Sequence, residues 1–194
     1  MVPHMSPDSD FVTIRGKKYH VKNLTLDLRN LGIKDITEIE GLKKLKNLEE
    51  LNLQYNQIRE IKGLESLIKL KKLNLMDNKI EELKGLDNLT KLQGLYLCHN
   101  RIEELKGLDN LTKLQHLGLS ENRIEKIKGL DNLTNLRELS FWSNRIKEIK
   151  GLENLNKLKG LNLQYNPIKV DEEKLAGKSA QEVVKYCQKK IKRD

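Results

Sequence analysis

A leucine, a second apolar residue two places on and an asparagine three places after that recur six times, always 22 residues apart. The copies read LNLQYN from Leu51, LNLMDN from Leu73, LYLCHN from Leu95, LGLSEN from Leu117, LSFWSN from Leu139 and LNLQYN again from Leu161. A fixed period of this length means that each unit makes one turn of a stack and contacts only its neighbours, the definition of a solenoid. A divergent first copy, LTLDLRNLGI, aligns Leu26, Leu28 and Ile33 with Leu51, Leu53 and Ile58. It runs 25 residues before the next copy and has Leu31 at the asparagine position.

Spacing inside a unit gives its local structure. Apolar and polar residues alternate around Leu51 and Leu53, which suits a short strand with one buried face. The run from Gly85 and Leu86 through Leu89, Leu92 and Leu95 steps by three, which fits a 3₁₀-like return better than an α-helix. Seven units stacked about 4.8 Å apart make a curved rod roughly 30 Å long. Aromatics are only 4% of the chain, so leucine and isoleucine must supply the core, at about 1.5–3 kcal/mol per fully buried side chain. The ladder Asn56, Asn78, Asn100, Asn122, Asn144 and Asn166 is read as structural. A buried amide offers two donors and an acceptor to backbone groups that a bend leaves unpaired.

The pattern LxxLxLxxNxI, carried by Leu48, Leu51, Leu53, Asn56 and Ile58, resembles the leucine-rich repeat. Its 22-residue length and the continuation IxxIxGLxxLxxL resemble the SDS22-like subclass, shared by phosphatase regulators and the internalins. The resemblance covers about residues 24–170; the departures are Leu31, Phe141 in the second leucine slot and Pro167 after the last asparagine. It implies an α/β fold, a right-handed leucine-rich-repeat solenoid with a parallel concave sheet and a 3₁₀ or irregular convex side. Both ends read as caps. FVTIRGKKYHV suits a β-hairpin turning at Arg15 to Lys18. Ser179 and Glu182 form a capping box that opens a helix, with Ala180, Val183, Val184, Cys187 and Ile191 on one face. The expected organisation is a disordered segment 1–10, a cap hairpin 11–23, about seven repeats over 24–170, and a cap helix with basic tail over 171–194.

Formal charge is +9, which raises nucleic acid, an anionic membrane or an acidic protein as partners. Position decides among them. The side chains flanking the two strand leucines line the concave face, and there Arg29 and Lys72 are outnumbered by Asp27, Glu50 and Glu138. The excess must sit on the flanks, as in the column Lys62, Lys84, Lys106, Lys128 and Lys150. Acidic columns at Glu60, Glu82, Glu104 and Glu148 and at Asp87, Asp109 and Asp131 interleave with it. A solvated, salt-bridged surface is preferred there over a phosphate-binding stripe. The two cysteines show no disulfide framework, and no stretch suggests a signal peptide or membrane span, so a cytoplasmic monomer is expected.

Concave positions vary from copy to copy where core positions do not, and they supply the candidate site: Tyr96, His116, Trp142, Met76, Cys98, Glu138 and Gln54, with Tyr55 and His99 in the next column. Aromatic side chains of this kind most often anchor interfaces. No metal is expected, since Cys98, His99 and His116 are only three candidates on two strands. The AGKS tetrapeptide at Ala176 has Glu172 where a phosphate-binding loop needs glycine. No catalytic constellation, cofactor or small-molecule substrate is expected. The reading is a non-enzymatic module that binds a partner protein on its concave face. The resemblance implies, as an alternative, a regulatory subunit or adaptor of a phosphatase or GTPase, because the tail from Asn166 to Cys187 also resembles segments that follow repeats in Roco-type GTPase proteins. Two other classes remain: a nucleic-acid or anionic-membrane binder acting through the basic flanks, and a purely structural repeat with no specific partner.

Overall fold

A computed structural model of the chain describes residues 10–191. The segment expected to be disordered therefore lies, Asp10 apart, outside the described residues, as do the last three residues of the basic tail. A two-stranded antiparallel hairpin, β1 (Phe11–Ile14) and β2 (Lys17–His20), comes first. Its turn is shorter than expected. Arg15 and Gly16 alone make it, both at positive φ (49° and 78°), and Lys17 and Lys18 already pair within β2. Two left-handed residues give the primed turn whose twist matches a hairpin. Val12 and Ile14 face inward and close the first leucine layer.

Seven three-residue strands then stack in chain order into one parallel sheet. They are β3 (Thr25–Asp27), β4 (Glu50–Asn52), β5 (Lys72–Asn74), β6 (Gly94–Tyr96), β7 (His116–Gly118), β8 (Glu138–Ser140) and β9 (Gly160–Asn162). Register is constant: Leu26, Leu51, Leu73, Leu95, Leu117, Leu139 and Leu161 stand in one row. This row and the next, from Leu28 to Leu163, point into the core, with Phe141 fully buried in a leucine slot. Strand and return alternate, so each crossover packs its leucines under the same sheet.

On the convex side the step of three becomes consecutive i→i+3 bonds. Leu67 donates to the Leu64 carbonyl and Leu70 to the Leu67 carbonyl, each at 2.9 Å, and later repeats copy them. Regular 3₁₀ helix forms in the first return, at Ile36–Glu38 and Leu42–Lys44. The glycine opening each return is needed there. Gly85 has φ +86°, and a Cβ on it would collide with the Ile61 carbonyl of the previous repeat.

The C-terminal end is closed by α1 (Val170–Glu173), a 3₁₀ turn (Lys174–Gly177) and α2 (Ala180–Ile191). The capping box forms: the Ser179 amide donates to Glu182 Oε2 at 3.0 Å, and the Glu182 amide donates to Ser179 Oγ at 3.4 Å. Ala180, Val183, Val184 and Cys187 are buried as the pattern predicts, but Ile191 is 56% exposed. The last turn of α2 overhangs the leucine stack, so the face predicted from periodicity ends one turn early.

Candidate functional site

The asparagine ladder fixes the backbone beneath the concave face. Asn78 accepts from the Ile58 amide at 3.0 Å through Oδ1, and its Nδ2 donates to the carbonyls of Leu53, Leu75 and Met76 at 3.0–3.1 Å. Asn100, Asn122 and Asn144 repeat this set one strand further on each time. Asn56 also serves the atypical first repeat, accepting from both Leu31 and Ile33. Each residue just before a ladder asparagine is left-handed, with φ of 54–57° at Tyr55, Asp77, His99, Glu121, Ser143 and Tyr165. None of these is glycine, so each bend carries about 1 kcal/mol of strain that the asparagine bonds offset. The same conformation throws the side chains outward. Tyr55 is 55% exposed and Tyr165 75%.

Three columns run across the sheet. In the first, Thr25, Glu50, Lys72, Gly94, His116, Glu138 and Gly160 pair in register. Asp27, Asn52, Asn74, Tyr96, Gly118, Ser140 and Asn162 form the second. The third runs Arg29, Gln54, Met76, Cys98, Ser120, Trp142 and Gln164.

Polar groups in the first three strands satisfy one another. Arg29 pairs with Asp27 at 2.7 Å, and Lys72 with Glu50 at 2.9 Å across β4 and β5. Asn74 donates to Gln54 at 3.3 Å, and Gln54 in turn donates to Asp77 at 3.4 Å. Gln54 is therefore engaged within the protein.

The later strands are built differently. Glycines stand beside Tyr96 in the first and second columns. Its ring lies over Gly94, where an added Cβ would come within 3.1 Å of it, and the Cys98 sulfur lies as close over Gly118. Ser120 and Ser140 share a 2.8 Å hydrogen bond. Trp142 and Tyr165 meet edge to face with centroids 5.3 Å apart, a preferred aromatic geometry. His99 contacts Glu121 at 3.0 Å. The Glu138 carboxylate has no hydrogen-bond or ion-pair partner among the described residues, and it lies over Gly160, where a Cβ would collide with it. The candidates thus fall into groups: Tyr96, His116, Cys98, His99 and Met76 around the central strands, Trp142 and Glu138 near the C-terminal end, and Tyr55 with the engaged Gln54 on the second repeat.

Neither thiol is activated. Burial pushes the Cys98 thiol up, and it pushes Cys187 up to about 11. Among the described residues no group of three His, Cys, Asp or Glu side chains is placed to hold a metal ion, Cys98, His99 and His116 included. No described helix is long and apolar enough to cross a membrane.

Four of the five lysines in the basic column are paired with carboxylates. Lys62 contacts Asp35 at 2.9 Å and Glu60 at 3.3 Å, Lys84 pairs with Glu82, Lys106 with Glu104, and Lys150 with Glu148 at 2.9 Å. Lys62 and the Thr37 donors hold the Asp35 carboxyl down at about 2. The next place in this lysine column is Glu172, which the sequence pattern did not single out. It is 1% exposed, accepts from the Ile149 amide at 2.7 Å, and bonds Lys190 at 2.7 Å and the Tyr186 hydroxyl at 2.8 Å. Its position, 22 residues past Lys150, was the available signal. A charge reversal at the end of a column marks the cap.

A stack of parallel strands on a bonded asparagine spine, presenting a row of variable side chains, is the architecture of a repeat solenoid. The family model for Leucine Rich repeats (2 copies) matches residues 46–88, 90–132 and 134–175, and the chain belongs to the leucine-rich-repeat family. No curated protein matches it. Among solved structures it is similar to an internalin (inlF) of Listeria monocytogenes, at 29% identity and TM-score 0.68 over 78% of this chain and 44% of that one. It is similar also to internalin C2 (inlC2) of the same organism, at 30% identity and TM-score 0.61 over 79% of this chain and 76% of that one. A third likeness is to TLR13 in a TLR13–ssRNA13 complex, at 28% identity and TM-score 0.59 over 66% of this chain and 20% of that one. The chain thus spans less than half the length of the internalin F chain it matches.

Proposed function

We propose that this protein is a non-catalytic interaction module that binds a partner protein on the concave face of its sheet, centred on Tyr96, His116 and Trp142. The observation that carries this reading is the pair Trp142 and Tyr165. Two aromatic side chains meet edge to face at the surface, Tyr165 at 75% exposure and Trp142 half-buried, beside strands whose core positions scarcely change. Large rings left wet are the residue type that partners most often bury. Family membership supports an interaction role, and the two unpaired cysteines support a reducing compartment.

The likeness to TLR13 in its complex with ssRNA13 raises nucleic acid as a ligand, but charge argues against it. The concave columns carry two basic and three acidic residues, and four of the five lysines in the flanking column are paired with carboxylates. A phosphate backbone needs a net positive groove. The test is a pull-down at about 150 mM salt, where exposed charges are screened beyond about 8 Å. Wild type is set beside the Tyr96→Ala/Trp142→Ala double variant. A protein captured by wild type and lost with the variant supports the reading. Equal capture by both, or recovery of salt-sensitive nucleic acid alone, moves the site to the flanks.

A further inference from the structure

The concave face holds two hollows, and equivalent positions fill them differently. One, of about 210 Å³, lies over the first strands and is lined by Asp27, Glu50, Lys72 and Asn74 among others. The second, of about 400 Å³, lies further along the sheet between Tyr96 and Glu138, with Gly118 and Gly160 in its floor. Each has a glutamate in the first column. Glu50 stands in register with Lys72 on the next strand, and the Lys72 ammonium meets its carboxylate at 2.9 Å. Glu138 stands in register with Gly160, so the next strand brings it no side chain. Its carboxylate lies over that glycine and makes no hydrogen bond or ion pair among the described residues. The place that Lys72 fills in the first hollow is open in the second.

Neighbouring groups do not take that place. Arg137 and Lys159, the chain neighbours of Glu138 and Gly160, line a different hollow together with Lys157 and Gln181. His116 stands in register with Glu138 on β7 and lines the same hollow, but forms no ion pair with it. In the concave columns of β6 to β9 Glu138 is the one Asp, Glu, Lys or Arg. The hollow is therefore a neutral-walled space with a single exposed anion, on a face where the equivalent anion is answered by a lysine.

We infer that this hollow takes a lysine or arginine side chain of the partner protein, its charged head against the Glu138 carboxylate where Lys72 stands against Glu50. The partner then presents a basic residue to the concave arc. An uncovered pair of this kind is weak in water, and it selects the partner by rejecting an anion or an uncharged side chain at the same place. The aliphatic stem of either residue can stay against the floor of the hollow while its head meets the carboxylate.

The inference rests on the concave-face reading, and its test separates the two. The probes are a blocked Ala-Lys-Ala peptide and its uncharged Ala-norleucine-Ala analogue, titrated into the full chain at matched ionic strength. The lysine peptide should shift the Gly118 and Gly160 amide resonances and bind about three- to fivefold more tightly than the analogue. Glu138→Gln should abolish that preference. So should Gly160→Lys, which gives Glu138 the neighbour that Glu50 already has; the new side chain displaces only the mobile end of Glu138, not backbone. Equal affinity for the two peptides, a preference that survives Glu138→Gln, or unmoved amides at about 50 mM peptide overturns the inference. If the Tyr96→Ala/Trp142→Ala protein loses its partner while Glu138→Gln captures it in full, concave binding stands and the basic anchor falls. If the double variant keeps its partner, the concave reading falls and this inference falls with it.

Discussion

The concave face divides into two halves that share a backbone and differ in chemistry. From β3 to β5 its charged and amide side chains answer one another: Arg29 with Asp27, Lys72 with Glu50, Asn74 with Gln54. From β6 to β9 glycines at Gly94, Gly118 and Gly160 leave space, a tyrosine, a cysteine and a carboxylate lean into it, and Trp142 and Tyr165 stand out. Register, ladder bonds and left-handed bends are the same in both. Stability therefore resides in the repeated positions, and the proposed binding surface in three or four variable ones per turn, so the two can be altered separately. A half whose polar groups are already satisfied has little to offer a partner; a half with an unpaired carboxylate and wet rings has much.

The largest effects should ignore this division. Asn78→Ala and Asn122→Ala each remove one acceptor and three donor contacts from buried backbone. Each should cost about 3–5 kcal/mol in urea unfolding, because orphaned buried groups carry their full desolvation penalty. Costs differing by more than about 1 kcal/mol between these variants would break the idea of one scaffold under two surfaces. Asn166→Ala, half-buried after the last strand, should cost less.

Next in size is the cap. Glu172→Ala leaves the Ile149 amide without an acceptor and takes one of the two carboxylates from Lys190. A loss of about 2–3 kcal/mol is expected, with hydrogen exchange rising first in α2. The cap is also expected to weaken in acid. Burial raises the Glu172 pKa, but the Ile149 amide, Lys190 and Tyr186 outweigh burial and leave it below its ordinary value. Lys150 and Lys190 hold Glu148 down at about 2. Carboxylates with lowered folded pKa values stabilise above the unfolded value, here 4.5, and lose that contribution as pH falls toward about 2. Midpoints of thermal unfolding measured between those limits should fall with pH, and less steeply for Glu172→Gln. An unchanged slope would show that the cap does not limit stability.

Much of this was legible because repetition makes a sequence its own alignment. The leucine rows, the solenoid, the hairpin and the Ser179/Glu182 capping box all follow from spacing, and spacing is what the backbone obeys. What escaped depends on contacts that spacing does not encode. Glu172 sits in a column of lysines, and only the arrival of Tyr186 and Lys190 from α2 makes a buried carboxylate tolerable there. Ile191 keeps helical phase but lies past the end of the surface it should cover. The left-handed bends at Tyr55 and His99 carry no glycine to announce them. In the candidate site, residue types could be placed on the concave face, yet whether Gln54 was engaged or Glu138 free turned on neighbours one strand away.

The smallest effect tests the comparison most directly. Arg29 and Asp27 form a 2.7 Å pair on the first strand of the sheet, and both side chains are well exposed, at 59% and 43%. Water already solvates such a pair and salt screens it, so its loss is worth less than about 1 kcal/mol. Arg29→Ala should therefore unfold at nearly the wild-type urea concentration. It removes the cation from Asp27, however, and leaves in the polar half a carboxylate held only by the residue 29 amide, an unneutralised charge as Glu138 is in the other. If partner affinity stays within about twofold of wild type, the N-terminal half is a bystander and an unpaired carboxylate is not sufficient for binding. A larger loss would mean that the partner spans the whole arc, and that the pairing seen in the first strands describes only the unbound surface.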